Sequence, residues 1–149
     1  DVHKFTTNRK LIIGNVEIDY PLGLAGHSDA DVLIHAIMDA MLGAAALGDI
    51  GQHFPSTDKK LKDIDSGQLL TYVKQLLDKQ NYRVVNIDSV VVAEQPELSS
   101  YIIQMRERIA DILDIDFDFV SVKATTEEGL GFTGAGQGIS AYAVVCIER

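Results

Sequence analysis

The chain has 149 residues, of which 46% are hydrophobic and 23% are charged, as expected for one globular domain of ordinary size. Its formal net charge is −9 and it contains no Lys or Arg cluster, which argues against nucleic-acid binding. No apolar run approaches the roughly 18 residues that cross a bilayer. The single cysteine, Cys146, cannot form an internal disulfide. A lone cysteine favours a reducing compartment, or at least no need for an oxidising one.

The first half of the chain predicts a strand, a hairpin and two helices. "DVHKF" has the pattern of a strand, and "KLIIGNVEI" contains two apolar runs around a Gly-Asn turn, which predicts a hairpin. A helix is expected from about Asp31 to Leu47, with Asp29 as its N-cap. After an irregular loop, Ser66 can cap a second helix, "GQLLTYVKQLLDKQ".

The second half predicts three strands and one more helix. "YRVVNIDSVVVAEQ" indicates a strand that Pro96 ends, and a helix should follow from Ser99 or Ser100 to about Leu113. "DFVSVKATT" and "ISAYAVVCIE" indicate strands on either side of a glycine-rich loop. Strands mixed with three helices predict an α+β domain over residues 1–149.

The first candidate site joins the opening strand to the first helix. Asp1 and His3 are two residues apart, so their side chains share one face of the strand. If the helix packs there, His35 adds a second imidazole, and the three side chains make the ligand set of a catalytic zinc site with a free position. Alternatively, Asp1 is frayed and His35 is a hydrogen-bonded core residue. Asp31, four residues before His35, is a candidate partner for its ring.

Two loops add groups suited to phosphate. His27 and Ser28 precede a helix N-terminus, where free N–H groups favour an anion, although a plain cap would show the same pattern. "TTEEGLGFTGAGQG" holds five of the twelve glycines, and Glu128 there offers an oxygen ligand for Mg²⁺ or Mn²⁺. The loop is not a P-loop and could be an ordinary turn. The polar loop "GDIGQHFPSTD" also has the length of a functional segment.

Taken together, these stretches resemble the 2-C-methyl-D-erythritol 2,4-cyclodiphosphate synthase family of the non-mevalonate isoprenoid pathway. The matching pieces are "DVHKF", "GLAGHSDADVLIHAIMDAMLGAAALGDIGQHFPSTD", "IIQMRERIA" and "VKATTEEGLGFTGAGQGISAYAV". They follow the family's order along nearly the whole chain. The resemblance implies a four-stranded mixed sheet with helices on one face and a small N-terminal hairpin. It also implies a homotrimer whose sheets pack around a threefold axis, with active sites between neighbouring subunits.

The resemblance also assigns roles to residues. Asp1, His3 and His35 match zinc ligands, and Glu128 matches the ligand of a second metal, Mg²⁺ or Mn²⁺, at the diphosphate. His27 and Thr126 match residues that stabilise the transition state. The implied substrate-binding residues are Asp1, His3, His27, Ser28, Asp49, Ile50, Gly51, Phe54, Ser56, Asp58, Thr125, Thr126 and Phe132. The implied cytidine-binding residues are Ala93, Pro96, Glu97, Leu98, Ser99 and Ala124.

The implied substrate is a small cytidine diphosphate ester, not a nucleic acid or a membrane. Its own phosphate would attack the β-phosphorus and release CMP, which explains the lack of a protein nucleophile. Three positions depart from the family pattern: Glu97 replaces a lysine, Ala135 a basic residue and Ser56 an aspartate. Two alternatives stay open, a phosphodiesterase that uses metal-bound hydroxide and a trimeric binding module without activity.

Overall fold

Seven strands and five helices make up the fold of this computed structural model, which describes residues 1–149. The strands are β1 (Val2–Thr6), β2 (Leu11–Ile13), β3 (Val16–Ile18), β4 (Gly23–Leu24), β5 (Arg83–Val92), β6 (Val120–Thr125) and β7 (Gly138–Glu148). The helices are α1 (Val32–Ala44), α2 (Ile50–His53), α3 (Ser66–Lys79), α4 (Ile102–Leu113) and α5 (Gly131–Gly134). Short 3₁₀ turns lie at Lys59–Leu61, Ser99–Tyr101 and Phe117–Phe119.

The main sheet is mixed and has the strand order β4-β1-β7-β5-β6. Only β5 and β6 are parallel, and the other pairs are antiparallel. The predicted count of four strands is one short, because Gly23 and Leu24 pair with the end of β1. A strand of two residues has no alternation that a sequence pattern could show.

The predicted hairpin is present as β2 and β3. Gly14 and Asn15 form its turn with φ values of 62° and 59°. Two successive positive φ values define the type I′ turn, which matches the twist of the strands that it joins. The hairpin contacts α1, α4 and β4 and so closes one side of the core.

Three helices cover one face of the main sheet, as predicted. α1 packs across β7 and β5, α4 packs on β6, and α3 packs against both helices. The side chains of β7 show the two faces, since Ala141 and Val145 are buried under the helices while Tyr142 and Val144 are 62% and 74% exposed. The other face of the sheet is therefore uncovered in the single chain.

The predicted caps of α1 and α3 are each displaced. Asp31, not Asp29, caps α1 by accepting from Ile34 N at 3.0 Å. Asp65 caps α3, and Ser66 is the first helical residue. Several capping residues precede each helix, and the backbone path alone decides which carboxylate reaches the free N–H groups.

Candidate functional site

Pairing with β7 fixes the start of β1. Asp1 N donates to the Ala141 carbonyl at 2.8 Å and Ala141 N donates back at 2.9 Å, while His3 lies opposite Ile139 in the ladder. His35 comes from α1, which packs on β7, and it is only 8% exposed. The fold thus brings the two side chains of β1 and the His35 ring to one place.

Asp1, His3 and His35 converge on a single point. Asp1 Oδ2 lies 2.8 Å from His3 Nε2 and 3.1 Å from His35 Nδ1, and the two ring nitrogens are 3.1 Å apart. Ligand atoms around a tetrahedral zinc ion lie about 3.3 Å apart, because each metal–ligand bond is about 2.0–2.2 Å long. The three side chains therefore offer one oxygen and two nitrogens at close to the spacing that zinc requires.

The protonation of both imidazoles suits metal binding. His3 Nδ1 lies 2.8 Å from the Ala25 carbonyl oxygen, and because a carbonyl only accepts, Nδ1 carries the hydrogen and Nε2 presents its lone pair to the site. Burial lowers the pKa of His3 and of His35. A lowered pKa favours the neutral rings that bind metals.

Asp31 does not contact the His35 ring, so that prediction is wrong. Its carboxylate is fully buried and accepts from the backbone N–H groups of Gly14 at 2.9 Å, Asn15 at 2.7 Å and Ile34 at 3.0 Å. Burial raises the pKa of Asp31 to about 6, although these three hydrogen bonds act in the opposite direction. Asp31 therefore ties the hairpin turn to the start of α1.

The outer nitrogen of His35 has partners that the sequence analysis missed. His35 Nε2 lies 3.0 Å from Ser66 Oγ and 3.2 Å from Ser28 Oγ, and the Ser66 hydroxyl is hydrogen-bonded to the Asp29 carboxylate. No short spacing links Ser66 to His35, which are 31 residues apart. Only the packing of α3 against α1 brings them together.

A cavity of about 390 Å³ opens beside the three converging side chains. It is lined by nine of the site residues that the family resemblance implies: Asp1, His3, His27, Ser28, His35, Ile50, Gly51, Phe54 and Ser56. His27 Nε2 lies 2.8 Å from the Asp58 carbonyl oxygen and must donate to it. The cavity is thus walled by candidate metal ligands on one side and by the α2 loop on the other.

Asp49 and Asp58 do not line this cavity. The Asp49 carboxylate caps α2 by accepting from Gln52 N at 3.0 Å, and it also accepts from Gln52 Nε2 at 2.9 Å. The Asp58 carboxylate accepts from Lys60 N at 2.9 Å. In this structure both carboxylates stabilise the backbone of the loop beside the cavity.

A separate groove of about 340 Å³ lies at the ends of β5 and β6. It is lined by all six residues of the implied cytidine set, Ala93, Pro96, Glu97, Leu98, Ser99 and Ala124, together with Thr125 and Thr126. Within it, the Glu97 carboxylate accepts from Ser99 Oγ at 2.7 Å. At this position, where the family resemblance implies a lysine, the Glu97 side chain thus turns to Ser99.

The structure does not bring Glu128 or Phe132 to the converging side chains. Glu128 lies at an open depression with Glu127, Leu130 and Gly131, and Phe132 is exposed on α5. In the sheet, Ser140 of β7 lies between Val2 of β1 and Val92 of β5. Val92 in turn lies beside Thr125 of β6. With about 4.8 Å between strands, Thr125 lies about 14 Å from β1. Cavity and groove thus share one end of the sheet but stay separate.

Comparison with known proteins decides the family. The model of the YgbB family matches residues 1–148. The chain belongs to the YgbB family. A 2-C-methyl-D-erythritol 2,4-cyclodiphosphate synthase from Clostridium perfringens is 60% identical over 149 residues, which are all of this chain and 96% of that protein. The predictions that the chain belongs to this synthase family and that it is an enzyme are therefore confirmed.

Solved structures agree with this YgbB assignment. The bifunctional IspDF from Campylobacter jejuni has a TM-score of 0.95 and 42% identity over 99% of this chain, which spans 40% of that longer chain. The Plasmodium falciparum IspF, determined as a CDP complex, has a TM-score of 0.84 and 33% identity over 99% of this chain and 90% of its own. No helix of the YgbB chain described here is long and apolar enough to cross a membrane.

Proposed function

We propose that the chain converts 4-diphosphocytidyl-2-C-methyl-D-erythritol 2-phosphate into 2-C-methyl-D-erythritol 2,4-cyclodiphosphate and CMP. The observation that carries this proposal is the convergence of Asp1, His3 and His35 beside a cavity that also holds His27 and Ser28. The names of close relatives support the substrate class, as does the CDP bound to the Plasmodium falciparum neighbour. The proposed location of the enzyme is the cytoplasm, or the plastid stroma in a plastid-bearing source.

The metal sites are proposed from the donor groups. Asp1, His3 and His35 would hold one zinc ion per chain, which supplies a Lewis acid for phosphate oxygens. Glu128 offers a hard oxygen donor, which suits Mg²⁺ or Mn²⁺ at a diphosphate. Donor type supports both assignments, because mixed nitrogen and oxygen sets suit zinc and carboxylates suit the harder ions.

The protein contributes to the reaction mainly by orienting the two phosphates and neutralising their charge, and it need not supply a nucleophile. An oxygen of the 2-phosphate attacks the β-phosphorus and forms a P–O bond, while the P–O bond to CMP breaks and CMP leaves with the electron pair. Since the attack is intramolecular, holding both phosphates in line supplies much of the rate. His27 and Thr126 are proposed to contact the charge that develops on the phosphates.

The remaining cavity residues would bind the methylerythritol portion of the substrate. Ile50, Gly51, Phe54 and Ser56 line the cavity on the side of α2, and Ser28 lies next to His27. Asp49 and Asp58 flank this lining, and the lone pairs that their backbone caps leave free would accept from the substrate hydroxyls. Thr125 and Phe132 would reach the substrate from the side of the glycine-rich loop.

The cytidine portion would bind in the groove at the ends of β5 and β6. Because this groove and the cavity remain separate in one chain, a complete site would pair the groove of one subunit with the cavity of its neighbour. The homotrimer implied by the family resemblance would provide that arrangement. The uncovered face of the main sheet, with Tyr142 and Val144 exposed, supports it.

The proposal is tested by incubating zinc- and magnesium-loaded protein with the cytidylated substrate and following the products by ³¹P NMR. We expect equal amounts of CMP and the cyclic diphosphate, with His35→Ala as the inactive control. A linear phosphorylated product would indicate hydrolysis by metal-bound hydroxide. Tight binding of the substrate without turnover would indicate a binding module. Either result would contradict the proposed reaction.

A further inference from the structure

We propose that Ser66 and Asp29 act as a positioning pair for His35, holding its ring so that Nδ1 presents a lone pair to the metal. The inference rests on the proposed function only in taking His35 as a metal ligand. Neither residue touches the cavity, so both would act through His35.

The direction of the hydrogen bonds follows from donor chemistry. A carboxylate accepts and does not donate, so the short contact between Ser66 Oγ and Asp29 Oδ1 uses the hydroxyl hydrogen of Ser66. The Ser66 oxygen is then left to accept from His35 Nε2 at 3.0 Å. This bond favours the tautomer of His35 with its hydrogen on Nε2 and the lone pair on Nδ1, against the competing acceptor Asp1 Oδ2, which lies 3.1 Å from Nδ1.

The geometry around His35 makes this tautomer the useful one. Nδ1 is the nitrogen that faces Asp1 Oδ2 and His3 Nε2, each at 3.1 Å. In the opposite tautomer an N–H bond would occupy the direction in which the metal must bind. Metal-bound histidines commonly donate their other nitrogen to an oxygen acceptor for this reason.

The pair is itself rigidly held. Ser66 is fully buried, and its backbone N–H donates to Asp29 Oδ2 at 2.9 Å. Asp29 also accepts from Asp31 N at 3.2 Å, and its own N–H donates to the Ile64 carbonyl at 3.0 Å. The hydroxyl of Ser66 thus has a single orientation, fixed from both sides.

A purely structural role for Asp29 can be separated from a positioning role. In a purely structural role, the Asp29 carboxylate would only accept a hydrogen bond from the free backbone N–H of Ser66 at the start of α3. That role needs the backbone of Ser66 and not its hydroxyl. Ser66→Ala removes the hydroxyl alone, and Asp65→Ala removes the cap of α3 without touching His35, so the two variants form a matched pair.

Zinc affinity of the metal-free protein, measured by competition with a chromophoric chelator, tests the pair. Ser66→Ala should bind zinc about 10–100-fold more weakly than the wild type. Its urea midpoint should also fall, because the buried His35 N–H and the Asp29 carboxylate each lose a partner, so the Asp65→Ala control shows whether lost stability alone weakens zinc binding. Asp65→Ala should show a lower midpoint and an unchanged zinc affinity. Wild-type zinc affinity in Ser66→Ala would overturn the proposal.

The tautomer gives a second test that needs no variant. Long-range ¹H–¹⁵N NMR of the metal-free protein should show His35 with its hydrogen on Nε2, and a hydrogen on Nδ1 would overturn the proposal.

Failure of the proposed function would give a different result from failure of the positioning pair. If the wild type and His35→Ala retain equal zinc, the ligand assignment is wrong. If His35→Ala loses zinc and Ser66→Ala does not, only the positioning pair is wrong.

Discussion

His3 and His35 are kept neutral in the folded chain by their burial. Burial lowers the pKa of both rings from the ordinary value of 6.5. Once the pH falls through that value, the unfolded chain binds protons that the metal-free folded chain does not. The free energy of unfolding should therefore fall as the pH drops below 6.5, until the lowered pKa values of the folded state are reached.

This pH dependence can be assigned to the two rings. We expect metal-free wild-type protein to lose more stability between about pH 7.5 and about pH 5.5 than the double variant His3→Gln, His35→Gln, because glutamine does not titrate. Urea unfolding at both pH values measures the difference. Equal losses in the two proteins would show that the rings contribute nothing to the pH dependence.

Asp31 should matter for stability and not for the metal. In Asp31→Asn, an amide NH₂ must face at least one of the three backbone N–H groups that the carboxylate now accepts. A buried N–H without an acceptor costs about 1–3 kcal/mol, so the variant should be about 2 kcal/mol less stable. Urea unfolding against the exposed control Asp19→Asn measures this, and equal stability of both variants would refute it.

At the scale of elements, long periodic segments were predictable and very short ones were not. The hairpin, α1, α3 and α4 all appear where apolar periodicity placed them, with ends displaced by a few residues. β4 and α2 are two and four residues long, and each forms through its neighbours: β4 pairs with β1, and Asp39 Oδ1 accepts from Ile50 N at 2.8 Å to start α2. Such tertiary contacts leave no local signal.

Substitutions at two glycines test how strongly the local backbone conformation determines the stability of these elements. At Gly14 the φ of 62° disfavours a side chain, and a Cβ would lie 2.8 Å from Met105 Cβ. Gly14→Ala should cost about 3 kcal/mol. Gly43 lies within α1, where a Cβ would meet nothing within 4 Å, so Gly43→Ala should gain about 0.5–1 kcal/mol. Thermal and urea unfolding give both values, and a destabilised Gly43→Ala would indicate that another surface packs against it.

At the scale of the whole molecule, the uncovered face of the sheet should be where subunits meet. Val144 lies on that face opposite Asp88 in the ladder. Val144→Asp would place two like charges side by side on a surface that must be desolvated on assembly. We expect light scattering to give three times the mass of the chain for the wild type and one chain for the variant.

The matched control for assembly is Ile103→Asp on α4. Ile103 is a similarly exposed apolar side chain at 61%, but it lies in the helical layer and not on the open sheet. This variant should remain a trimer. A monomeric wild type, or a trimeric Val144→Asp, would show that the open face is not the interface.

The two halves of the site were predictable to different degrees. The spacing of Asp1 and His3 and the interior position of His35 favoured a hydrogen-bonded core histidine over a metal site, and only the packing of α1 on β7 showed that the three side chains meet. The groove at Ala93 and Ala124 had no recognisable signal in spacing or composition and came from the family resemblance alone. Ser66 and Asp29 came from neither, because the contacts of Ser66 with His35 and with Asp29 are entirely tertiary.

Asp1, His3 and His35 should together bind one divalent cation. Crystals grown with zinc and CMP, measured on both sides of the zinc absorption edge, test it most directly. We expect one anomalous peak per chain at about 2.0–2.2 Å from Asp1 Oδ2, His3 Nε2 and His35 Nδ1. Zinc bound elsewhere in the chain, with no peak between these three atoms, would contradict it.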